Sequence, residues 1–383
     1  MIETLFLSLD QSLVRKESGV MGDAKERFLN YSTRAKIKMF VRVHPGGSAE
    51  PIRLGENLEI YPVPSSGYLS YICGGWKLAK RVFSATPPNV ICAQDPFGTG
   101  LLGVLLKRKF GIPLMIQLHT DFIDNSAWYG ESLRNRLAHI LGRQIVQRAN
   151  GVQGVSRLIC KRMEGLGFQK SKIMHLPTGG GIDLTRFDNV DGTEERKDIL
   201  GNEFDKLLVF IGRIAKQKNL PLLVEAAPKI LKEFSNALFL LCGEGKERGS
   251  IESMIRDRNL QRNIRVEGEV SYNRVSSILA GADLFVLPSA YEGTARVLEE
   301  ASALCTPCVT TDVSGARDVI EDGVSGWVVP PFNPDAFATA VIEALKNPER
   351  AKVMAKKARQ TVESDFDQIK HTLRLIDFLD SLC

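Results

Sequence analysis

The segment YEGTARVLEEASALCTPC, residues 291–308, carries three acidic side chains, Glu292, Glu299 and Glu300. Apolar residues recur at helical spacing after Thr294, which predicts a helix beginning near that residue with one inward apolar stripe. The stripe consists of Val297, Leu298, Ala301, Leu304 and Cys305. Glu300 falls at the edge of this stripe and needs hydrogen-bond partners, because an unpaired buried carboxylate is strongly destabilising. Glu299 is predicted to project toward the polar side and solvent.

Glu292 precedes the predicted helix, in the loop that follows the apolar run LFVLPSAY. The amides of Gly293, Thr294 and Ala295 then form a helix N-terminus, where backbone N–H groups and the helix dipole favour an anion. Carboxylates on either side of such a site can accept hydrogen bonds from sugar hydroxyls while the amides donate to phosphate. The segment therefore suits a sugar nucleotide, with Glu292 and Glu300 as its acidic contacts.

Two cations in GRIAKQKNL, residues 212–220, could bind the diphosphate of such a ligand. Gly212 ends an apolar run, Arg213 follows it, and Lys218 lies just before the next predicted helix. A planar guanidinium and a point-charge ammonium at the end of a strand suit phosphate oxygens. The alternative interpretation is a pair of solvated surface cations.

A second glycine loop, CGEGKE at 242–247, follows another apolar run. Gly243 and Gly245 would let the backbone approach a ligand closely, although a tight turn alone explains them equally well. Glycine loops that follow strands are expected at the carboxyl edge of a parallel sheet, where ligands bind.

Short apolar runs alternate with helical patterns along almost the whole chain, which is typical of parallel α/β architecture. In the first half, strands are predicted near 3–9, 37–43, 90–93, 113–118, 151–155 and 173–176. A glycine-rich and then charged stretch at 178–198 is the predicted linker, and a second α/β series follows it. The sequence therefore predicts two doubly wound sheets facing one another across a cleft.

Two helices can be predicted in more detail. A helix over 131–149 has one apolar stripe, with most of its arginines off that stripe. The stripe consists of Leu133, Leu137, Ile140, Leu141 and Val146. In the second half, Asn333 is the predicted N-cap of a helix whose first residue is Pro334.

The composition is that of a globular protein: 383 residues, 44% hydrophobic and 25% charged, enough for two domains. No apolar run approaches the roughly 18 residues needed to cross a bilayer. The start, MIETLFLSLD, reads as a strand and lacks the basic region and cleavage site of a signal peptide. Seven scattered cysteines favour a reducing cytoplasm, and the lone pair Cys305 and Cys308 is predicted to serve packing, not a metal.

Charge is unevenly distributed between the two halves. Residues 1–190 hold 25 basic and 15 acidic residues, whereas residues 191–383 hold 25 and 30. The basic half is expected to meet an anionic partner. Within it, YLSYICGGWKLAKRVF at 68–83 is either an interfacial amphipathic helix or a helix half-buried in its own domain. No recognition module for nucleic acid is present.

Taken in order, these motifs resemble the nucleotide-sugar domain of retaining family 4 glycosyltransferases of the GT-B fold. The matching segments are GRIAKQKN, LCGEG, GADLFVLPSAYEG, the Glu-x7-Glu pair, TPCVTTDVSG and EDGVSGWVVPPFNPDAFATAV. HLPTGGGIDLTRF resembles the entry into that domain, and GVQGVSR resembles a strand near the end of the family's acceptor domain. The resemblance implies three regions: an acceptor-binding Rossmann-like domain, 1–187; a nucleotide-sugar-binding Rossmann-like domain, 188–363; and a terminal helix, 364–383, packed back on the first domain.

The resemblance also implies roles for individual residues. Arg213 and Lys218 would bind the donor diphosphate and stabilise the leaving group. Glu292 would contact the transferred sugar, Glu300 would hold the ribose hydroxyls, and His119 matches a histidine that lines the sugar pocket. The remaining donor contacts would be Gly212, Gly243, Gly293, Thr294 and Ala295.

Two departures from the family pattern affect these roles. The family usually has Phe-Gly where this chain has Thr294-Ala295, which changes how closely the backbone can approach the sugar. The glycine pair usual after the first strand is also absent. A longer loop replaces it, in which Gly22 is the weakly matched donor contact.

The function implied is transfer of a hexose-type sugar, with retention and without a metal, from a UDP- or GDP-sugar to a saccharide or lipid-linked acceptor. Cell-surface polysaccharide or glycolipid synthesis in the cytoplasm, with peripheral contact to the inner membrane face, fits the basic first half. Two alternatives stay open: a sugar-nucleotide 2-epimerase of the same fold, and a non-catalytic nucleotide-sugar-binding subunit. No cofactor is expected, and the donor sugar, its base and the acceptor are not predicted.

Overall fold

The computed structural model describes residues 1–14, 24–84, 86–177, 181–366 and 368–383. Its contacts divide the chain into two compact units. The first comprises Met1–Gly181 and Gln368–Cys383, and the second comprises Ile182–Asp367. The sequence-based boundaries were placed after residues 187 and 363.

The described part of the first unit is built on one sheet with strand order β3-β4-β2-β1-β5-β6-β7-β8. The strands are β1 (Glu3–Ser8), β2 (Lys36–Val43), β3 (Ile52–Arg53), β4 (Leu58–Pro64), β5 (Val90–Ala93), β6 (Leu114–Leu118), β7 (Gly151–Gly154) and β8 (Ile173–His175). All neighbours pair in parallel except β3 with β4. The helices before the second unit are α1 (Ala24–Ser32), α2 (Tyr68–Phe83), α3 (Gly98–Phe110), α4 (Ser126–Tyr129), α5 (Leu133–Val146) and α6 (Arg157–Gly165).

The second unit has a parallel sheet of order β11-β10-β9-β12-β13-β14. Its strands are β9 (Lys206–Ile211), β10 (Ala237–Cys242), β11 (Ile264–Gly268), β12 (Leu284–Leu287), β13 (Cys308–Thr311) and β14 (Trp327–Val329). Its helices are α7 (Thr193–Leu200), α8 (Leu220–Glu233), α9 (Arg248–Asp257), α10 (Tyr272–Gly281), α11 (Arg296–Ala303), α12 (Ala316–Val319), α13 (Pro334–Lys346) and α14 (Pro348–Asp365). Apart from Lys206 at the start of β9, the residues of the central strands β9, β10 and β12 are apolar and buried on both faces, as parallel sheets covered by helices require.

The last helix, α15 (Gln368–Asp380), belongs to the first unit. Leu375 and Leu379 are fully buried in the same core cluster as Phe6 and Phe28. The predicted return of the terminal helix to the first domain is therefore confirmed. The helix before it, α14, ends at Asp365.

The helix over 68–83 forms as α2, and its apolar face packs inside its own unit. Tyr71, Ile72 and Phe83 are buried in the core, and the Tyr71 hydroxyl donates a 3.0 Å hydrogen bond to the Phe40 carbonyl. This is the second of the two interpretations left open for this segment. Throughout the residues that the structure describes, no helix is long and apolar enough to span a membrane.

The predicted helix start at Asn333 is confirmed. Its side chain accepts a 3.0 Å hydrogen bond from the Ala336 amide, and Pro334 is the first residue of α13. The helix predicted to begin near Thr294 forms as α11, which begins two residues later at Arg296 and has no side-chain cap among the described residues. The amide of Arg296 bonds the Thr294 carbonyl at 3.1 Å, so the chain turns once before the helix begins.

Candidate functional site

Strand order in the second unit creates a crevice between β9 and β12. The chain proceeds from β9 to β10 and β11 on one side and then crosses to β12 on the other side. Loops that leave the carboxyl ends of such neighbouring strands diverge, and ligands of doubly wound sheets bind between them. Residues 212–219 follow β9 and residues 288–295 follow β12. The sequence-predicted residues Arg213, Lys218 and Glu292 thus come from the two loops at this point.

Glu292 is buried, with 3% of its surface exposed, and is held by three donors. The ammonium of Lys218 lies 2.5 Å from Oε1, and the Ser289 hydroxyl donates to the same oxygen at 2.6 Å. The Gln217 amide donates to Oε2 at 3.0 Å. A carboxylate removed from water in this way is compensated only because its oxygens receive hydrogen bonds from both loops.

Backbone contacts hold the two loops together beside this carboxylate. The Ala290 amide donates to the Gln217 carbonyl at 2.8 Å, and the Asn219 side chain donates to the Pro288 carbonyl at 3.3 Å. Thr311, at the end of β13, donates its hydroxyl to the Ser289 carbonyl at 2.6 Å. These hydrogen bonds join the loops after β9 and β12 to each other and to the end of β13. They therefore fix the positions of Glu292 and Lys218.

Arg213 differs from Lys218, although both were predicted to bind a diphosphate. Arg213 is exposed, and it forms no hydrogen bond or ion pair with any residue in the described ranges. The side chain of Lys218 is only 16% exposed and is already paired with Glu292. The site thus combines one positioned ammonium with one guanidinium that is free to meet an anion.

Gly243 serves packing between two loops. A Cβ at this residue, whose φ is +145°, would lie 1.9 Å from the Gly212 carbonyl oxygen. A Cβ on Gly245 would lie 2.1 Å from the carbonyl oxygen of Ile214. Both glycines are therefore needed where the loop after β10 crosses the loop after β9. This packing explains the two glycines of CGEGKE structurally, in addition to the predicted donor contact of Gly243.

The residues just before α11 pack against the core of the second unit and against Gly315. Ala295 is 3% exposed and belongs to the core cluster of the second unit, while Thr294 is half-buried. Gly315 has a φ of +80°. A Cβ at this residue would lie only 2.4 Å from the Gly293 carbonyl oxygen, so only glycine fits. The amides of Gly293 and Ala295 donate to no described residue and are available at the start of the helix.

Glu300 is 4% exposed, and its Oε1 lies 3.4 Å from Nε of Arg296, one helical turn earlier. The sequence analysis predicted that this glutamate would intrude on the buried face and need partners, and Arg296 is one of them. Arg296 itself was not among the predicted site residues. Its i,i+4 spacing before Glu300 is a signal that the sequence carries.

Glu299 was predicted to face solvent, and this prediction is wrong. The residue is fully buried, and neither carboxylate oxygen forms a hydrogen bond with a described residue. Burial raises the pKa of Glu299 well above its usual value, and nearby Glu300 and Asp318 raise it further against the opposing charge of Arg296. The error arose because α11 is covered on more than one side, so that all residues from Leu298 to Ala303 are buried.

A test of this buried acid is the pH dependence of stability in the Glu299→Gln variant. Above pH 4.5, the unfolded state has lost the proton that the folded state keeps, so wild-type stability falls as pH rises toward the folded-state pKa. The variant, which has no such proton, should gain up to about 1.4 kcal/mol per pH unit relative to wild type in that window. Urea unfolding at pH 5, 7 and 8.5 measures the difference. The exposed Glu225→Gln on α8 is the control, and a difference for Glu299→Gln that does not change with pH would contradict the assignment.

His119 lies in the first unit, directly after β6. Its Nδ1 is buried and has no hydrogen-bond partner within the described ranges. Burial, assisted by the positive charge of Arg27 and opposed by Asp10, lowers the pKa of His119 to about 4. The imidazole is therefore neutral near pH 7 and can exchange hydrogen bonds with hydroxyls without carrying charge.

A small polar cavity adjoins His119. Gln117 and Gln153 line it from neighbouring strands, joined by a hydrogen bond between their side-chain amides, and Arg27 of α1 faces it. The sequence analysis missed these glutamines, as it missed Gln217 and Ser289 in the second unit. For Gln117 and Gln153, the available signal was one polar residue within each otherwise apolar strand.

The remaining predictions concern a glycine, the cysteines and metals. Gly22 lies outside the described residues. Cys308 is buried in β13, and Cys305 is partly buried in the turn before it. Over the described ranges, no three His, Cys, Asp or Glu side chains are placed to hold a metal ion. The expected independence of a metal stays a prediction.

Comparison with known proteins identifies the family of the chain. Residues 191–361 match the model of "Glycosyl transferases group 1", and residues 28–186 match that of "Glycosyltransferase Family 4". The α-D-kanosaminyltransferase of Streptomyces kanamyceticus is 26% identical over 331 residues, which cover 80% of this chain and 85% of that protein.

Solved structures show the same fold at low sequence identity. A sucrose-phosphate synthase from Thermosynechococcus elongatus superposes with a TM-score of 0.81 at 17% identity over 99% of both chains. Anabaena HepE in complex with UDP-glucose superposes with a TM-score of 0.74 at 18% identity over the full length of both chains. The two family models together span most of the sequence, and the chain belongs to the group 1 and family 4 glycosyltransferases with the GT-B fold.

Proposed function

We propose that this glycosyltransferase moves a hexose-type sugar from a UDP- or GDP-sugar to a saccharide or lipid-linked acceptor, with retention of the anomeric configuration. The observation that carries the proposal is the pairing of Lys218 with buried Glu292 at the strand crossover, in a loop that also carries the exposed Arg213. In the loops after β9 and β12, Arg213 and Lys218 offer positive charge to a diphosphate, and Glu292 offers a carboxylate to sugar hydroxyls. The donor site is assigned to the second unit and the acceptor site to the first.

The leaving diphosphate is the group that needs stabilisation. As the bond from the sugar C1 to the phosphate oxygen breaks, negative charge develops on the diphosphate, and Arg213 and Lys218 oppose it. The amides of Gly293 and Ala295 can donate to the sugar or a phosphate. Because two cations supply this charge from the chain itself, we propose that no metal and no cofactor is required.

Retention follows from a same-face displacement. The acceptor oxygen forms its bond to C1 on the face that the diphosphate leaves, and its proton passes to the departing phosphate oxygen. No protein base is then needed. His119, neutral near pH 7, is suited to a hydrogen bond with a sugar hydroxyl and unsuited to a phosphate contact.

Glu300 and Gly243 complete the proposed donor site. Glu300, with Arg296 beside it, is assigned to the ribose hydroxyls, and Gly212, Gly243 and Thr294 to close contacts with the nucleotide or sugar. HepE, which has the same fold, was solved in complex with UDP-glucose, and this supports a uridine nucleotide as the first donor to test. We further propose that the protein works in the cytoplasm in cell-surface polysaccharide or glycolipid synthesis.

A ligand screen by thermal shift tests the donor class. UDP, GDP and the UDP and GDP forms of glucose, galactose, N-acetylglucosamine and mannose are added at matched concentrations. A true donor present at about 100 times its Kd should stabilise the second unit by about 2.7 kcal/mol. Stabilisation by none of these nucleotides would contradict a nucleotide-sugar site.

The reaction itself is tested with the selected donor and a panel of saccharide and lipid-linked acceptors. Proton NMR of the product should show the anomeric configuration of the donor. Epimerisation of UDP-N-acetylglucosamine in the absence of an acceptor would indicate the epimerase instead. Binding without hydrolysis or transfer across the panel would indicate a non-catalytic subunit.

A further inference from the structure

Helix α5 has two opposite apolar faces. One face, with Gly142, Ile145 and Val146, is buried against the first unit. The other face consists of large aliphatic side chains in contact with solvent. They are Leu133, Leu137, Ile140 and Leu141, which are 76%, 69%, 59% and 48% exposed.

The exposed side chains form a continuous stripe. Leu133, Leu137 and Leu141 are spaced at i, i+4 and i+8, and Ile140 lies beside them at i+7, so all four point from one side of the helix. The sequence analysis predicted a stripe of these four residues and Val146, but Val146 lies on the buried face and the other four face outward. Isolated exposed leucines need no explanation, whereas a contiguous stripe on one helix indicates an interaction surface.

Arginines border the stripe on both sides. Helical geometry places Arg134 along one edge and Arg136 with Arg143 along the other. Arg143 pairs with Asp124 at 3.0 Å, whereas Arg134 and Arg136 form no ion pair with any residue of the described ranges. The charge at the two edges of the stripe is therefore mainly uncompensated.

The basic border continues beyond the end of α5. The Lys107 ammonium donates to the carbonyl of Arg148 at 2.7 Å, which joins the last turn of α3 to this helix. That last turn carries Lys107, Arg108 and Lys109 in succession. An apolar stripe between rows of cations therefore leads into a second basic cluster on the same unit.

We propose that α5 docks the first unit onto an anionic lipid surface, with the four aliphatic side chains entering the interface and the arginines contacting lipid phosphates. A helix with an apolar face and cationic borders lies in the plane of such an interface. A second copy of the chain fits less well, because symmetric pairing of two such stripes would bring the arginine borders of both copies together. The charge of the borders thus selects a negatively charged partner.

This inference goes beyond the donor site, because every residue that carries it belongs to the first unit. It also assigns the membrane contact to a helix other than the one suggested by the sequence. The apolar face of α2 is buried in the core of the first unit, and of its large apolar residues only Tyr68 and Leu69 are exposed.

Vesicle co-sedimentation tests the proposal with the full-length protein. Vesicles of phosphatidylcholine with 30 mol% phosphatidylglycerol are compared with pure phosphatidylcholine at about 0.1 M salt. Wild type should bind the anionic vesicles, and Leu137→Gln/Ile140→Gln should weaken binding by about tenfold or more. Leu69→Gln, which removes an exposed leucine of α2, is the matched control and should bind as wild type does.

Arginine substitutions test the contribution of charge separately from that of the apolar side chains. Arg134→Gln/Arg136→Gln should weaken binding to anionic vesicles by about fivefold for each arginine removed. Thermal shift with the donor nucleotide should be the same for all variants and wild type, which shows that the second unit is intact.

Four results would overturn the proposal. They are absence of wild-type binding to anionic vesicles, unchanged binding in Leu137→Gln/Ile140→Gln, loss of binding in Leu69→Gln, and a wild-type dimer in size-exclusion chromatography that the α5 change converts to a monomer. The last would assign the stripe to a second copy of this chain. Each of these results leaves the proposed donor chemistry untouched, so the two proposals fail separately.

Discussion

Replacing Arg213 by alanine is expected to lower kcat by about 10² to 10³-fold, the usual effect of removing one donor from a site of developing negative charge. The guanidinium is exposed and unpaired among the described residues, so nothing in the fold depends on it. Its charge is therefore available to the leaving diphosphate alone. Initial rates at saturating donor measure the effect, and the urea-unfolding midpoint should stay within error of wild type.

Lys216→Ala is the matched control for that change. Lys216 is also exposed and lies in the same loop, yet the sequence analysis assigned it no contact. A nonspecific electrostatic attraction between this loop and an anionic donor would be weakened equally by either substitution. Equal losses of kcat would therefore contradict a specific role for Arg213, whereas a loss confined to Arg213→Ala supports it.

The fold was predictable because its signals are local. The apolar runs that follow Lys206 in β9 and that form β10 are buried on both faces, as an uninterrupted apolar strand requires. The cap at Asn333 needs only the side chain and the next three residues. Lys218 and Glu292 come together because the loops that carry them leave the same edge of the sheet, at neighbouring strands.

The misassigned residues depend on packing between distant segments. Periodicity placed Glu299 on the polar side of α11, but α12 and its Asp318 lie near that side, and no local pattern indicates this. The apolar stripe of α5 has the spacing of a buried face, and periodicity cannot tell which of two apolar faces meets the core. The loop glycines were similarly ambiguous, because the backbone that Gly243 approaches is Gly212, 31 positions earlier in the sequence.

The hydrogen bonds and the ion pair of Glu292 position charge at the strand crossover. Burying a carboxylate and an ammonium together is compensated only when hydrogen bonds satisfy both, as Ser289 and Gln217 do here for the carboxylate. The charge of Lys218 is thus held in place at the strand crossover. Preorganised charge of this kind favours a transition state because it needs no rearrangement during the reaction.

Glu292→Gln is expected to lower kcat by about 10² to 10³-fold and also to destabilise the second unit. A glutamine offers one acceptor oxygen in place of two, so its amide would face one of the donors that now bond the carboxylate. The Lys218 ammonium, whose side chain is 16% exposed, would also lose its counter-charge. Removal of one partner from a buried pair destabilises by about 3–5 kcal/mol.

The double variant Lys218→Met/Glu292→Gln separates the two effects. Methionine removes the unpaired charge, so the free energy of unfolding should recover by more than about 1 kcal/mol relative to Glu292→Gln alone. The kcat should stay at the level of the single variant or lower, because both groups assigned to the reaction are then absent. Wild-type kcat in Glu292→Gln, or recovery of kcat together with stability in the double variant, would show that Glu292 only supports the fold.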